Sequence, residues 1–115
     1  MASTDTIETT AIETNAIETE ALLKAIASER RIRILEWLKD PLAHFPAQVH
    51  GDPLVHGACN QFIADKLGVR QPAASRHLKV LADAGLIIPT PRKGWTYYRR
   101  DEAAIAALKH QLREL

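Results

Sequence analysis

Residues 68–86 read Gly68-Val69-Arg70-Gln71-Pro72-Ala73-Ala74-Ser75-Arg76-His77-Leu78-Lys79-Val80-Leu81-Ala82-Asp83-Ala84-Gly85-Leu86. A helix is expected to begin at Gln71, because Pro72 fits a first turn where its missing N–H costs nothing. Ala74, Leu78 and Leu81 stand at i, i+4 and i+7, so they share a buried face. Gly85 closes the helix. Gln71, Pro72, Ser75, Arg76 and Lys79 then share the opposite face, which holds no acid. Their chemistry suits a DNA major groove. An amide pairs with adenine N6/N7, a guanidinium with guanine O6/N7, and a hydroxyl reaches either base edge. Lys79 lies farther along and is expected on phosphate. The helix N-terminus adds backbone N–H donors.

Working outward, Asn60 to Leu67 reads as a short amphipathic helix carrying Phe62, Ile63 and Leu67, ended by Gly68. On the other side, Leu86-Ile87-Ile88 and Trp95 to Arg99 read as strands, with Thr90 to Gly94 as their turn. A last helix spans Asp101 to Leu115, where Ile105, Leu108, Leu112 and Leu115 form a narrow seam suited to a partner helix. Upstream, a short helix is expected from Glu20 to Ile26. A second, capped by Ser28 with Glu29 in its first turn, runs to Lys39 before Pro41 stops it. Ile32, Leu35 and Leu38 mark its apolar face, widened by Ile34 and Trp37. Residues 41–57 read as a loop punctuated by Pro41, Pro46, Gly51, Pro53 and Gly57.

Helix, glycine turn, helix and basic hairpin make a winged helix-turn-helix. The fold expected is mainly α with a small β-hairpin: about five helices and a two-stranded antiparallel wing. Arg92 and Lys93 at the wing tip are placed over DNA backbone or minor groove. Trp37, Trp95, Tyr97 and Tyr98 read as core and strand-packing residues, since they belong to separate elements.

The chain has 115 residues, 46% hydrophobic and 25% charged, which is one globular domain. Its net charge of +1 conceals an asymmetry. Residues 1–20 hold five acids and no base, whereas residues 66–100 hold eight bases against Asp83 alone. That local excess points to a polyanion, with a solvated charged face as the plain alternative. No apolar run approaches a membrane span, and the acidic start is the opposite of a leader, so a cytoplasmic protein is expected. The start also repeats Ile-Glu-Thr three times at a period of five. Five steps of roughly 100° turn each isoleucine by about 140°, so no helical stripe forms, and an odd period alternates strand faces. Residues 1–20 are expected to be a mobile acidic tail. Residues 21–115 then form the winged helix-turn-helix domain for DNA binding and dimerisation.

Gly68 to Leu86 resembles the recognition-helix signature of the ArsR/SmtB family of bacterial repressors. Ser28 to Leu35 is similar to that family's second-helix motif, and Lys93-Gly94-Trp95-Thr96-Tyr97-Tyr98-Arg99 to its wing. The resemblance implies a homodimer joined through the first and last helices. It also implies repression at a double-stranded DNA operator, with release by a small effector. Gln71, Ser75 and Arg76 match the family's base-contacting positions. Where the family usually has Ser or Thr, this chain has Arg70, which removes a side-chain cap and adds a cation.

Cys59 matches the first thiol of the family's Cys-x-Cys metal motif, but the second position is Gln61. The last-helix metal pattern is also absent, its place taken by Glu102-Ala103-Ala104 with only His110 and Glu114 beyond. A single thiol cannot close a soft-metal site. No cofactor and no metal ligand set is therefore expected. His44, His50, His56 and Cys59 surround the long loop in a spacing that is not a standard zinc pattern, and they read as a polar loop in water. Metal sensing, or thiol redox sensing through Cys59 and His56, is the alternative. No phosphate-binding glycine loop, carboxylate pair or serine elbow is present, and Cys59 with His56 lacks an orienting third group, so no enzyme is expected. The rival class is a winged-helix protein adaptor whose basic face meets no DNA.

Overall fold

The computed structural model describes residues 18–47, 51–53 and 55–115. Helix α1 covers residues 18–26 of these. Then come α2 (Glu29–Lys39), α3 (Pro41–His44), β1 (Ala58–Cys59), α4 (Asn60–Leu67), α5 (Gln71–Asp83), β2 (Ile87–Arg92), β3 (Trp95–Arg100) and α6 (Glu102–Arg113). The expected acidic tail lies outside the described residues as far as residue 17, and residues 18–20 are helical.

Local chemistry sets the helix ends. Ser28 Oγ accepts from Arg31 N at 3.3 Å, and Asp101 Oδ1 accepts from Ala104 N at 3.0 Å. At the end of α4, Gly68 N donates to Asp65 O and Val69 N to Ala64 O, with Gly68 at φ 70°. At the end of α5 the same pair of bonds runs from Gly85 N to Ala82 O and from Leu86 N to Leu81 O. This double bond pattern satisfies the last carbonyls of both helices. It also drops Leu86 into the core beside Leu81, where both are fully buried. Ile34, Leu35 and Leu38 of α2, Ile63 of α4, Leu78 of α5, Ile87 of β2 and Ile105 and Leu108 of α6 complete that core.

The structure corrects the sequence reading in several places. Helix α2 ends at Lys39 as expected, but residues 41–44 form α3 rather than loop, because Asp40 accepts from Ala43 N and Pro41 occupies the first turn. The apolar face of α2 is centred on Ile34, Leu35 and Leu38, and Ile32 is 44% exposed. Three residues advance about 300°, so the steps from Ile32 to Leu38 drift off a single face. The wing has a third strand: Ala58 pairs with Tyr98 and Cys59 with Tyr97, giving the order β1-β3-β2. The turn is shorter than expected, only Lys93-Gly94, both at positive φ, with Arg92 opposite Trp95. Pro89 and Pro91 lie within β2, which the edge position permits.

Arg100 ties the wing to the helices. Its side chain is 8% exposed, with Nη1 donating to Leu35 O at 3.2 Å and Nη2 to Glu102 Oε2 at 3.0 Å. Its Nε lies 2.8 Å from Glu102 Oε1 at an angle that makes this a charge contact rather than a hydrogen bond.

Candidate nucleic-acid interface

Helix α5 buries Ala74, Leu78 and Leu81 and exposes Pro72, Ser75, Arg76 and Lys79, with Gln71 half-buried on its first turn. The aliphatic and polar faces therefore separate as the spacing requires. No side chain caps the helix at Arg70, so backbone donors of its first turn have no cap from that residue. Arg92 and Lys93 are exposed at the wing tip. Lys93 adopts φ 53°, a conformation enforced by the two-residue turn.

One acid does reach this surface. Lys79 Nζ lies 3.1 Å from Asp83 Oδ2, one turn along α5. Both side chains are largely exposed, so the pair itself contributes little stability. It does compete with phosphate for Lys79. The i,i+4 spacing of Lys79 and Asp83 is the sequence signal for this pair. Asp83→Asn is expected to raise duplex affinity by about two- to threefold at low salt, read by fluorescence anisotropy, because it removes a competing anion. Unchanged affinity would detach Lys79 from the DNA surface.

Behind α5, Arg31 of α2 joins three helices. Its Nε donates to Ala25 O at 2.5 Å and its Nη2 to Lys24 O at 3.2 Å, binding the last carbonyls of α1. Its Nη1 approaches His77 Nδ1 of α5 at 3.2 Å. Nδ1 is then the acceptor and the neutral ring carries its proton on Nε2. Burial first, and then the cations Arg31, Arg30 and Arg76, hold His77 below its usual 6.5. His77 thus acts as a structural residue between α5 and α2. Near 6.5 the unfolded imidazole takes up a proton that the folded one resists. Stability from this site is complete above 6.5 and is lost as pH falls from there toward the folded value. Denaturant midpoints measured across that range should fall more steeply for the parent than for His77→Gln; identical profiles would remove the effect.

The loop residues meet different partners. Cys59 is buried, sits at the N-cap of α4, and has Sγ 3.8 Å from Asn60 Oδ1. His56 Nδ1 accepts from Asp52 N at 3.0 Å, so its neutral ring carries the proton on Nε2. Its Nε2 lies 3.4 Å from Arg92 Nη1, a meeting of two donors rather than a hydrogen bond, which places His56 beside the wing. His44 is exposed, and His50 lies outside the described residues. Among the described residues no group of three or more His, Cys, Asp or Glu side chains is placed to hold a metal ion.

The aromatic residues divide. Trp37 meets Phe45 edge-on at 6.4 Å, with Lys66 Nζ 5.2 Å from the Trp37 ring centroid, and Tyr97 is buried. Burial also pushes the half-buried Tyr98 phenol above its usual value. Trp95 departs from the strand-packing expectation, for it is exposed at the wing tip.

A glycine-capped helix pair whose second helix exposes amide, hydroxyl and guanidinium groups, followed by a basic β-wing, defines a winged helix-turn-helix transcriptional regulator. Residues 58–88 match the family model described as bacterial regulatory protein, arsR family. Over 87 residues the chain is 42% identical to YbzH, an uncharacterised HTH-type transcriptional regulator of Bacillus subtilis (strain 168), spanning 76% of this chain and 87% of YbzH. The chain belongs to the ArsR family of transcriptional regulators.

Solved structures agree on the fold. HlyU from Vibrio cholerae N16961 aligns with a TM-score of 0.61 at 25% identity, covering 88% of this chain and 95% of HlyU. The homodimeric winged helix-turn-helix DNA-binding domain of Mb0332 from Mycobacterium bovis aligns with a TM-score of 0.62 at 23% identity, covering 87% and 80%. NolR from Sinorhizobium fredii aligns at 0.60 with 20% identity, covering 88% and 87%. No helix among the described residues is long and apolar enough to cross a membrane.

Proposed function

We propose that this regulator is a homodimeric repressor that binds an imperfect palindrome and is released by a small effector. The reading rests on the outer face of α5, where Ser75 and Arg76 stand exposed beside Gln71 and no core residue intrudes. Gln71, Ser75 and Arg76 read base edges, while Lys79, Arg92 and Lys93 hold the backbone. Thr19 Oγ1, hydrogen-bonded to Gln111 Oε1 at 2.9 Å, keeps α1 beside α6, and Leu23 and Leu112 leave apolar surface exposed on that pair. Leu115 is 88% exposed just beyond α6. These side chains suit a second copy, and Mb0332, whose winged helix-turn-helix domain is itself homodimeric, supports a dimer. Paired α5 helices then address half-sites about one helical turn, or a multiple of it, apart.

Selection of bound duplexes from a random library is the direct test. On the selected site Arg76→Ala should cost about 1–3 kcal/mol and relax specificity there, with little change on random DNA. Lys79→Ala or Arg92→Ala should weaken both duplexes alike and lower the salt slope by about one for each phosphate released. Equal weakening of both duplexes by Arg76→Ala would remove the base-reading role. A protein indifferent to every duplex at low salt would instead be an adaptor. Repeating the selection with metals and oxidants tests the effector. Cys59 and His56 are the proposed route, because Cys59 begins α4 while His56 lies against Arg92 of the wing.

A further inference from the structure

Six Phe, Trp and Tyr rings occur in the chain, and five of them, Trp37, Phe45, Phe62, Tyr97 and Tyr98, are buried or half-buried. Trp95 is 43% exposed. Its place is specific: it is the first residue after the Lys93-Gly94 turn and lies directly across from Arg92. Side chains alternate along a strand, so Arg92 and Trp95 emerge on the same face of the hairpin. Residues 87–100 contain four bases, Arg92, Lys93, Arg99 and Arg100, and no acid. Arg100 is engaged by Glu102; Arg92, Lys93 and Arg99 are exposed on the wing, with Arg92 Nη1 3.4 Å from His56 Nε2. The mount is stiff, because Pro89 and Pro91 fix β2 and the two-residue turn fixes the tip. Little ordering entropy is therefore lost when the tip docks.

An indole held out on a stiff cationic tip fits a partner that offers phosphates with apolar surface between them. Duplex DNA offers this along the minor-groove wall, where deoxyribose rings lie between successive phosphates. We infer that Trp95 is a DNA contact, laying its indole against deoxyribose while Arg92 and Lys93 take the flanking phosphates. This rests on the DNA-binding reading above and adds a non-ionic, sequence-tolerant contact to a wing otherwise held by charge.

The test uses the full chain carrying Trp37→Phe, so that Trp95 is the single indole, and a duplex recovered by the selection above. Saturation with that duplex should shift Trp95 emission and reduce its quenching by acrylamide at least about twofold, as burial of an exposed ring requires. Trp95→Ala should lose about tenfold in affinity, on selected and random duplexes alike, as expected when an aromatic contact is removed. The dependence on salt should stay unchanged, because no cation is removed. Trp95→Phe should keep most of the affinity. A complex that forms with Trp95 emission and acrylamide access unaltered overturns the inference alone. So does Trp95→Ala binding like the parent, or losing salt slope as Arg92→Ala does. Failure of the parent to bind any duplex overturns the DNA-binding reading and this inference with it.

Discussion

Gly57→Ala is expected to destabilise the protein by at least about 3 kcal/mol, because a positive-φ strain and a backbone clash act together. Gly57 sits at φ 83°, where a Cβ is disfavoured. A Cβ added there would lie 1.8 Å from Tyr98 O and 2.5 Å from Tyr98 C. Those are backbone atoms of the central strand and cannot swing aside as a side chain would. The residue must therefore move, and it carries β1 with it, since Ala58 and Cys59 pair with Tyr98 and Tyr97. Chemical denaturation should show a large drop in midpoint with the slope preserved. A change below about 0.5 kcal/mol, the range of ordinary surface substitutions, would mean that residues 57–59 do not pack against β3 as described.

Leu78→Ala is expected to cost about 2–5 kcal/mol, the range for emptying a buried leucine site. Leu78 is fully buried at the centre of the inner face of α5, among a core shared with α2, α4 and β2. Its loss is also expected to weaken binding to a selected duplex, although Leu78 touches no DNA. The reading face is only as well aimed as the helix that carries it, and Ser75 and Arg76 are carried on the same turns. Thermal or denaturant unfolding gives the first effect and anisotropy below the variant's transition gives the second. Full stability would show that the core tolerates the cavity. Full affinity in a destabilised variant would show that α5 keeps its aim without Leu78.

The features legible in the amino-acid sequence are those written in short-range physics. Gly68 and Gly85 end their helices through bonds that span only a few residues. Ala74, Leu78 and Leu81 face inward because the helical repeat puts them there. The same repeat brings Ser75, Arg76 and Lys79 outward, with Gln71 half-buried beside them on the first turn, so the candidate reading face comes with the helix. Ser28 announces α2 by the same local logic, and its bond to Arg31 N is present. The Lys79–Asp83 pair is also readable from its i,i+4 spacing, since both residues lie one turn apart on the same helix.

Periodicity along the chain is therefore enough to establish the helix pair, its capped turn and the chemistry of its outer face, since each depends on neighbours within one or two turns. Other features require the folded molecule. A two-residue strand such as β1 has no period, and it exists because β3 offers an unpaired edge far along the chain. The Arg31 contact to His77 joins residues 46 apart, and the separation of Trp95 from the buried aromatics depends on where the hairpin leaves the body. Burial and long-range pairing depend on three-dimensional neighbours, whereas helix phase and capping are properties of the nearby chain.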